Sequence, residues 1–296
     1  MIQRTIRRSL IAFAFIGTVA GSAIAQEKQP ATPEGPQDCI ACHETGGNFR
    51  RNYTMWKESG HSKSISRIIN NSQASADCFA CHTDEGFKAK RLGKKVDVAR
   101  KESFNSVTCV TCHKLPHDSK YPRQLADDPE TLCTSCHTQR PVLQGKGARG
   151  IEEARSFHSA VDCISCHMSE TNHLMKLIRP DDPGVSEKRM DTCTACHKDN
   201  NRKARAAQIQ EWQKSYQAGM DPLQADLGAL SAALKENPSL LDDTMKAKLN
   251  DVRFNLSILV RDGSRGSHNV DFTAEILSIS AKTLREIKAA MPGKTN

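Results

Sequence analysis

Hydrophobic residues return at helical spacing in the last third of the chain. Over residues 238–291 they recur about every 3.6 positions, the period that aligns them on one face of a helix. The glycine- and serine-rich run at 262–267 is either a break or a tolerated weak spot in that segment. Residues 204–220 and 222–235 are predicted as two further helices. The residues that carry the repeat are Leu240, Leu241, Met245, Leu249, Val252, Leu256 and Leu259.

The middle of the chain, residues 38–200, has no comparable long pattern. Short helical pieces alternate with breaks rich in proline and glycine, such as residues 179–184. Apolar residues at helical spacing over 53–70 predict a helix that carries His61. The composition is poor for a conventional core, with 38% hydrophobic and 5% aromatic residues. Something other than side chains must therefore fill much of this interior.

The amino-terminal pattern predicts export to the periplasm. Three arginines precede the apolar run 10–20, which is followed by a small-residue Ala-x-Ala site ending at Ala25. This order is typical of a secretory signal peptide (residues 1–25) that is cleaved near Ala25. An uncleaved anchor is the alternative, but the run is shorter than the ~20 residues that span a bilayer. Residues 26–37 contain three prolines among polar residues and predict a flexible linker, and no later stretch predicts an integral membrane span.

All twelve cysteines fall into one repeated motif, Cys-x-x-Cys-His. Two thiols at this spacing reach the two vinyl groups of one porphyrin, and the adjacent histidine meets the iron as its proximal ligand. The sequence therefore predicts six covalently attached haem c groups. The attachment residues are Cys39, Cys42, Cys78, Cys81, Cys109, Cys112, Cys133, Cys136, Cys163, Cys166, Cys193 and Cys196, and the proximal ligands are His43, His82, His113, His137, His167 and His197.

Zinc binding and disulfides are the competing interpretations of these cysteines. A zinc site would join two Cys-x-x-Cys units, and the interval between Cys112 and Cys133 is short enough for one. The other intervals are too long, and neither zinc nor a disulfide within each pair explains a histidine after every second cysteine. Haem attachment also agrees with the predicted export, because the bonds form in that compartment.

The formal charge of +8 suggests an acidic partner only at first sight. Three of the positive charges leave with the signal peptide. About two propionates on each haem would then make the net charge of the mature protein negative. We therefore predict no nucleic-acid partner.

Five histidines remain for the second axial position of six irons. In a chain dense with iron, each is a candidate distal ligand: these are His61, His117, His158, His173 and His268. At least one iron must then bind a methionine, a lysine or another subunit's histidine, or keep an open position. Met55, Met168 and Met175 are candidates to fill the gap, although methionines more often serve packing. An open iron could bind a small ligand such as nitrite, hydroxylamine or a sulfur oxyanion.

Several stretches resemble the superfamily of cytochrome c nitrite reductase and octahaem hydroxylamine oxidoreductase. The resemblance covers roughly residues 55–291. Its matching elements are Trp56-Lys57-Glu58-Ser59-Gly60-His61 before a haem motif, His158-Ser159-Ala160-Val161-Asp162-Cys163 running into Cys166-His167-Met168, the following His173, and the late Ser267-His268-Asn269.

The resemblance implies a role for each of these histidines. His61, His158, His173 and His268 would be distal ligands, and the haem of Cys78, Cys81 and His82 would occupy the family's active-site position. The haem of Cys39 and His43 would be an additional one that His117 could serve. A homodimer through the C-terminal helices is also implied, although the leucine stripe could equally pack within one chain.

The chain also departs from this superfamily. His82 stands where nitrite reductases typically carry a proximal lysine. Only 25 residues separate His137 from Cys163, so the insert that holds the family's catalytic tyrosine, histidine and calcium site is missing. We therefore assign no catalytic residue by this resemblance.

Taken together, the sequence predicts a mainly α-helical protein. An irregular, haem-packed cytochrome core (38–200) would be followed by a long helical segment (201–296) that packs back on the core, because a haem ligand at His268 requires it. A detached helical bundle with a surface His268 is the alternative. The predicted function is electron transfer between redox partners such as a quinol dehydrogenase or other cytochromes. The alternative is a reductase or oxidoreductase of a small nitrogen or sulfur compound at the one haem without a distal histidine.

Overall fold

The computed structural model describes residues 47–114, 117–183, 185, 190–198 and 201–291, all within one compact unit. The predicted signal peptide, the linker and the first motif lie outside the described residues. As predicted, the described chain is mainly α-helical. Over these ranges it forms no β-strand, and one isolated bridge joins His113 to Leu125. None of the described helices is both long enough and apolar enough to cross a bilayer.

Short helices characterise the first part of the described chain. Polar side chains begin several of them: the Thr111 hydroxyl accepts a hydrogen bond from the backbone N–H of Thr108 at 2.9 Å, and Asp162 accepts one from the backbone of Ser165. The α-helices are α1 (Gly47–Glu58), α2 (Ala76–His82), α3 (Asp84–Arg91), α4 (Cys109–Cys112), α5 (Pro129–Thr134), α6 (Arg140–Leu143) and α7 (Cys163–His167). Short 3-10 helices cover Ile65–Arg67, Val98–Ser103, Pro122–Gln124 and Ser169–Thr171.

His61 does not lie on the helix that the sequence predicts for it. Helix α1 ends at Glu58, and His61 follows in a turn. The hydroxyl of Ser62 donates to the carbonyl of Lys57 at 2.8 Å. Such side-chain bonds compete with the continuing helical ladder, so the chain turns and carries His61 away from the helix axis.

Three long helices form the C-terminal part: α8 (Arg202–Glu236), α9 (Asp243–Asp262) and α10 (Val270–Ala290). The prediction of two helices around Pro222 is wrong, because α8 runs through this proline for 35 residues. Pro222 removes one backbone donor, but its neighbours Met220 and Leu223 are buried in the core. Their packing holds the helix together across the lost hydrogen bond.

The segment 238–291 contains a true break rather than one long helix. Helix α9 ends at Asp262. The next residue, Gly263, has a φ of 70°, a left-handed conformation that suits glycine. Residues 263–269 then connect to α10, which Asn269 caps by accepting a hydrogen bond from Phe272 N at 3.1 Å. This connection carries His268.

The leucine repeat of α9 faces the connected hydrophobic core. Its members Leu249, Val252, Leu256 and Leu259 are buried there, as the period predicts. Helices α8 and α10 supply nearly all of the other members, and Val142 is the one contributed from before residue 202 in the described chain. The core therefore belongs to the three long helices.

Polar contacts join the motif region, residues 76–198, to these helices. Asn255 on α9 accepts from Arg149 N at 2.7 Å and donates to Arg149 O at 3.0 Å. The amide of Asn269 donates to Ala154 O at 2.6 Å. The long helices thus lie against the chain segment between the fourth and fifth motifs.

Candidate haem-iron sites

Four pairs of histidine rings face each other in the described chain. Each pair joins the histidine of a Cys-x-x-Cys-His motif to one of the predicted distal ligands. The distances between ring centres are 5.9 Å for His61 and His137, 6.3 Å for His113 and His173, 6.1 Å for His158 and His197, and 6.2 Å for His167 and His268.

The ring separation fits an iron atom between each pair. Imidazole nitrogens bind metals at about 2 Å, and each nitrogen lies about 1 Å from its ring centre, so two rings that share a metal have centres roughly 6 Å apart. Aromatic rings in ordinary contact also have centres roughly 4.5–7 Å apart, so the partners carry the argument: in all four pairs a motif histidine faces a predicted distal ligand. The residues present therefore fit haem iron held between two histidines, the ligand set common in electron-transfer haems.

Hydrogen bonds orient several of these rings so that one nitrogen stays available. In the described chain, Nδ1 of His113 lies 3.0 Å from Arg123 O, that of His173 lies 2.8 Å from Thr171 O, and that of His167 lies 3.4 Å from Met175 O. A carbonyl can only accept, so Nδ1 donates and Nε2 keeps its lone pair. Metal-bound histidines typically have such partners.

Burial keeps the rings in the neutral form that binds metals. Burial, with a smaller contribution from neighbouring His137, lowers the pKa of His61 to about 4. Burial likewise lowers the pKa of His137, of His167 and of His173. The neutral imidazole is the form that coordinates a metal.

The cysteines of different motifs lie close to one another. The neighbouring Cys163 thiol raises the pKa of Cys133, and burial together with the neighbouring Cys81 thiol raises the pKa of Cys136. None of the ten described cysteines forms a disulfide. The described residues also contain no group of three or more acidic, histidine or cysteine side chains arranged for a metal ion.

His82 differs from the other described motif histidines. Its Nδ1 lies 3.1 Å from the carbonyl of Ser64, whose hydroxyl donates to His82 O at 2.8 Å. Within the described chain no second histidine ring faces it. Of the candidate methionines, Met175 lies beside another site, with its sulfur 2.5 Å from Nδ1 of His61.

The remaining predicted residues involve the first motif. Cys39, Cys42 and His43 lie outside the described residues. His117 is described and lies in a loop, but the haem predicted for it belongs to that first motif. Its ligand role stays a prediction.

The sequence singled out the histidines as candidate ligands, a role that stays a prediction, and it did not indicate the groups that orient their rings. The partner of His82 is a backbone carbonyl, which has no sequence signature. The carboxylate of Asp262, 2.6 Å from Nδ1 of His268, stood in the run that the sequence marked only as a helix break. The sequence offered one signal for this contact, an acidic residue six positions before a candidate ligand histidine.

Comparisons with known proteins agree with these observations. A family model described as cytochrome c554 and c-prime matches residues 38–114, and one described as a doubled CXXCH motif matches residues 102–141. No curated protein matches the chain significantly. Neither family model is that of the nitrite reductase and hydroxylamine oxidoreductase superfamily, so that resemblance stays a prediction.

Two solved structures share the fold. The crystal structure of the outer cell wall cytochrome OcwA has a TM-score of 0.65 and 25% identity, over 79% of this chain and 50% of that one. An undecahaem cytochrome from the S-layer of Carboxydothermus ferrireducens has a TM-score of 0.60 and 21% identity, over 79% of this chain and 41% of that one. The chain thus spans half or less of the length of either. Haem attachment at repeated motifs explains the paired cysteines, the facing histidines and the similarity to both family models and both solved structures. We conclude that the chain is a multihaem c-type cytochrome.

Proposed function

We propose that this protein is an exported hexahaem cytochrome that passes electrons between redox partners such as a quinol dehydrogenase or other cytochromes. The observation that supports this most directly is the set of four facing histidine pairs. An iron held between two histidines has no position for a substrate and can only exchange electrons. Most of the irons would therefore serve conduction.

Contacts between motifs support a continuous route. Near the second motif, Lys90 Nζ donates to the carbonyl of Ser135 in the fourth motif at 2.8 Å, and the Cys163 thiol of the fifth motif raises the pKa of Cys133 in the fourth. Because each thiol attaches to a porphyrin edge, neighbouring thiols bring neighbouring edges together. Cys166 of the fifth motif lies near enough to Cys196 of the sixth for their charges to interact, which extends the series. The fourth motif would then be a junction.

Haem number, location and assembly are parts of the proposal. Six haems follow from six motifs, of which the structure describes five. Export to the periplasm follows from the amino-terminal pattern, and the two structural neighbours are described as cell-wall and S-layer cytochromes. A homodimer through the C-terminal helices stays a prediction that analytical ultracentrifugation can check.

Replacing a distal ligand at the junction tests the conduit. In His61→Ala the haem count should stay unchanged by mass spectrometry, while one haem converts from low-spin to high-spin by its absorbance and electron paramagnetic resonance. Stopped-flow reduction of the protein should slow, because the altered haem lies between others. The matched control is Lys63→Ala, an exposed residue of the same turn. Spectra and reduction rates equal to those of the control would refute both the ligand role and the junction.

A second candidate function rests on His82. Since no described histidine faces its ring, the iron that it would bind has room for a small ligand, and the protein could act as a reductase or oxidoreductase of a nitrogen or sulfur compound. Adding nitrite, hydroxylamine or sulfite to the oxidised protein should then shift a high-spin signal. A wholly low-spin protein with unchanged spectra would exclude this candidate and leave electron transfer.

A further inference from the structure

Asp262 and His268 occupy opposite ends of the connection between α9 and α10. Asp262 is the last residue of α9, and the left-handed Gly263 turns the chain after it. The backbone N–H of His268 donates to the Ser264 hydroxyl at 3.1 Å, which holds the turn closed. The imidazole of His268 is thereby fixed with Nδ1 on the carboxylate, 2.6 Å from Oδ1.

The carboxylate of Asp262 is buried and has few other partners. Its side chain is only 2% exposed. The second oxygen, Oδ2, accepts from the backbone N–H and from the hydroxyl of Ser264. No lysine or arginine among the described residues forms an ion pair with it, so the carboxylate has no direct counter-ion there. A buried charge acts strongly on its neighbours because little water screens it.

The other oriented rings have weaker acceptors. His82, His113, His167 and His173 each direct Nδ1 at a backbone carbonyl. Among contacts between described residues, the bond from His268 is the one in which a histidine ring meets a carboxylate. Hydrogen bonds to charged acceptors are about twice as strong as those to neutral ones.

We propose that Asp262 is a positioning residue that lowers the reduction potential of the haem attached at Cys163 and Cys166. This inference rests on the proposed ligation of that haem by His167 and His268. A carboxylate that accepts from Nδ1 makes the imidazole a more basic ligand. A more basic ligand stabilises ferric iron over ferrous iron, and hydrogen bonding to the ligand is one of the means by which proteins set haem potentials. Asp262 thus makes this haem a harder one to reduce.

The test is a spectroelectrochemical titration of Asp262→Asn. An amide that carries no charge should raise the potential of one haem and change one low-spin signal in the electron paramagnetic resonance spectrum, with the haem count unchanged. The matched control is Asp243→Asn, a fully exposed acidic residue at the other end of α9. Potentials equal to those of the control would overturn the proposal.

Ser264→Ala decides the matter if Asp262→Asn fails to mature. Removing this hydroxyl takes a donor from Oδ2, which leaves more of the carboxylate's charge for His268, and it also takes the acceptor from the His268 N–H. An unchanged number of low-spin haems shows that the His268 ring is still in place. The same haem should then shift to a lower potential, opposite in sign to Asp262→Asn. An unchanged or raised potential in Ser264→Ala would overturn the proposal.

His268→Ala separates this inference from the proposed function. If ligation by His268 is wrong, His268→Ala will add no high-spin haem to those of the unaltered protein, and the proposed ligand set fails. If His268→Ala produces a high-spin haem but Asp262→Asn shifts no potential, only the role of Asp262 fails.

Discussion

The motif region, residues 76–198, and the three long helices of residues 202–291 are built on different physical principles. The long helices share one connected apolar core, to which the motif region adds the buried Val142, with Ala148, Ile151 and Ala154 packed partly buried against it. The motif region has a few buried apolar side chains outside that core, such as Phe79 and Phe87, and many loop hydrogen bonds, such as that from Asn105 N to Glu85 at 2.8 Å. Its facing histidine rings lie at a separation that an iron between them would fit. One part is thus organised by leucines and the other by its haems.

This difference explains how a chain with few aromatic residues can fold. The large apolar area that aromatic side chains usually bury would be supplied in the motif region by the porphyrins that its cysteines attach. The long helices form an ordinary core beside it, and through His268 they contribute a ring that faces His167. Stability of the two regions should therefore respond to different changes.

The largest expected effect is the loss of the motif region when haem is not attached. Chain produced without haem maturation should lose hydrogen-exchange protection over residues 76–198, because the gaps between its rings would be unfilled. Residues 243–290 should stay protected, because their core contains only side chains. Mass-spectrometric hydrogen exchange, with the mature protein as reference, measures both. Equal protection of residues 76–198 in the two forms would contradict the comparison.

An intermediate effect is expected from the leucine core. Leu256 is 3% exposed, and Leu256→Ala should lower the free energy of unfolding of the long helices by about 2–5 kcal/mol, since it leaves a cavity. Val260→Ala on the same helix is the matched control, because Val260 is 54% exposed, and it should change stability by less than about 0.5 kcal/mol. Denaturant titration followed by circular dichroism compares them. Similar losses in both variants would show that α9 does not pack as described.

The smallest effect is expected from removing an aspartate that caps the start of a helix, once in each region. Asp162 and Asp242 each accept a backbone hydrogen bond at 2.7 Å at a helix start. Asp242→Ala should cost about 1 kcal/mol of stability in thermal unfolding. Asp162→Ala should cost less in the mature protein, because attachment at Cys163 and Cys166 already fixes that turn. A larger loss in Asp162→Ala would mean that the cap, rather than the haem, holds the motif.

The sequence predicted what local chemistry and periodicity determine. The motifs follow from residue spacing, and the buried stripe of α9 follows from a period of about 3.6 residues. The predicted helix break at Pro222 is wrong, because the packing of Met220 and Leu223 outweighs the one lost hydrogen bond. The prediction that His61 lies on a helix is wrong as well. The hydroxyl of Ser62 donates to the carbonyl of Lys57, and the helix ends before His61.

The pairing of the histidine rings was beyond sequence reasoning. His61 precedes the second motif, yet its ring faces His137 of the fourth. His158 lies beside the fifth motif and faces His197 of the sixth. Such pairings depend on how loops cross in space, and no local pattern encodes them. The sequence named the candidate ligands but not the motif histidine that each one faces.

The most direct test of the account is the axial ligand set of the oxidised mature protein. Near-infrared magnetic circular dichroism distinguishes ferric haems with two histidine ligands from those with histidine and methionine or with an open position. The four facing ring pairs predict at least four haems per chain with two histidine ligands. A spectrum with the intensity of fewer than four such haems would contradict the account.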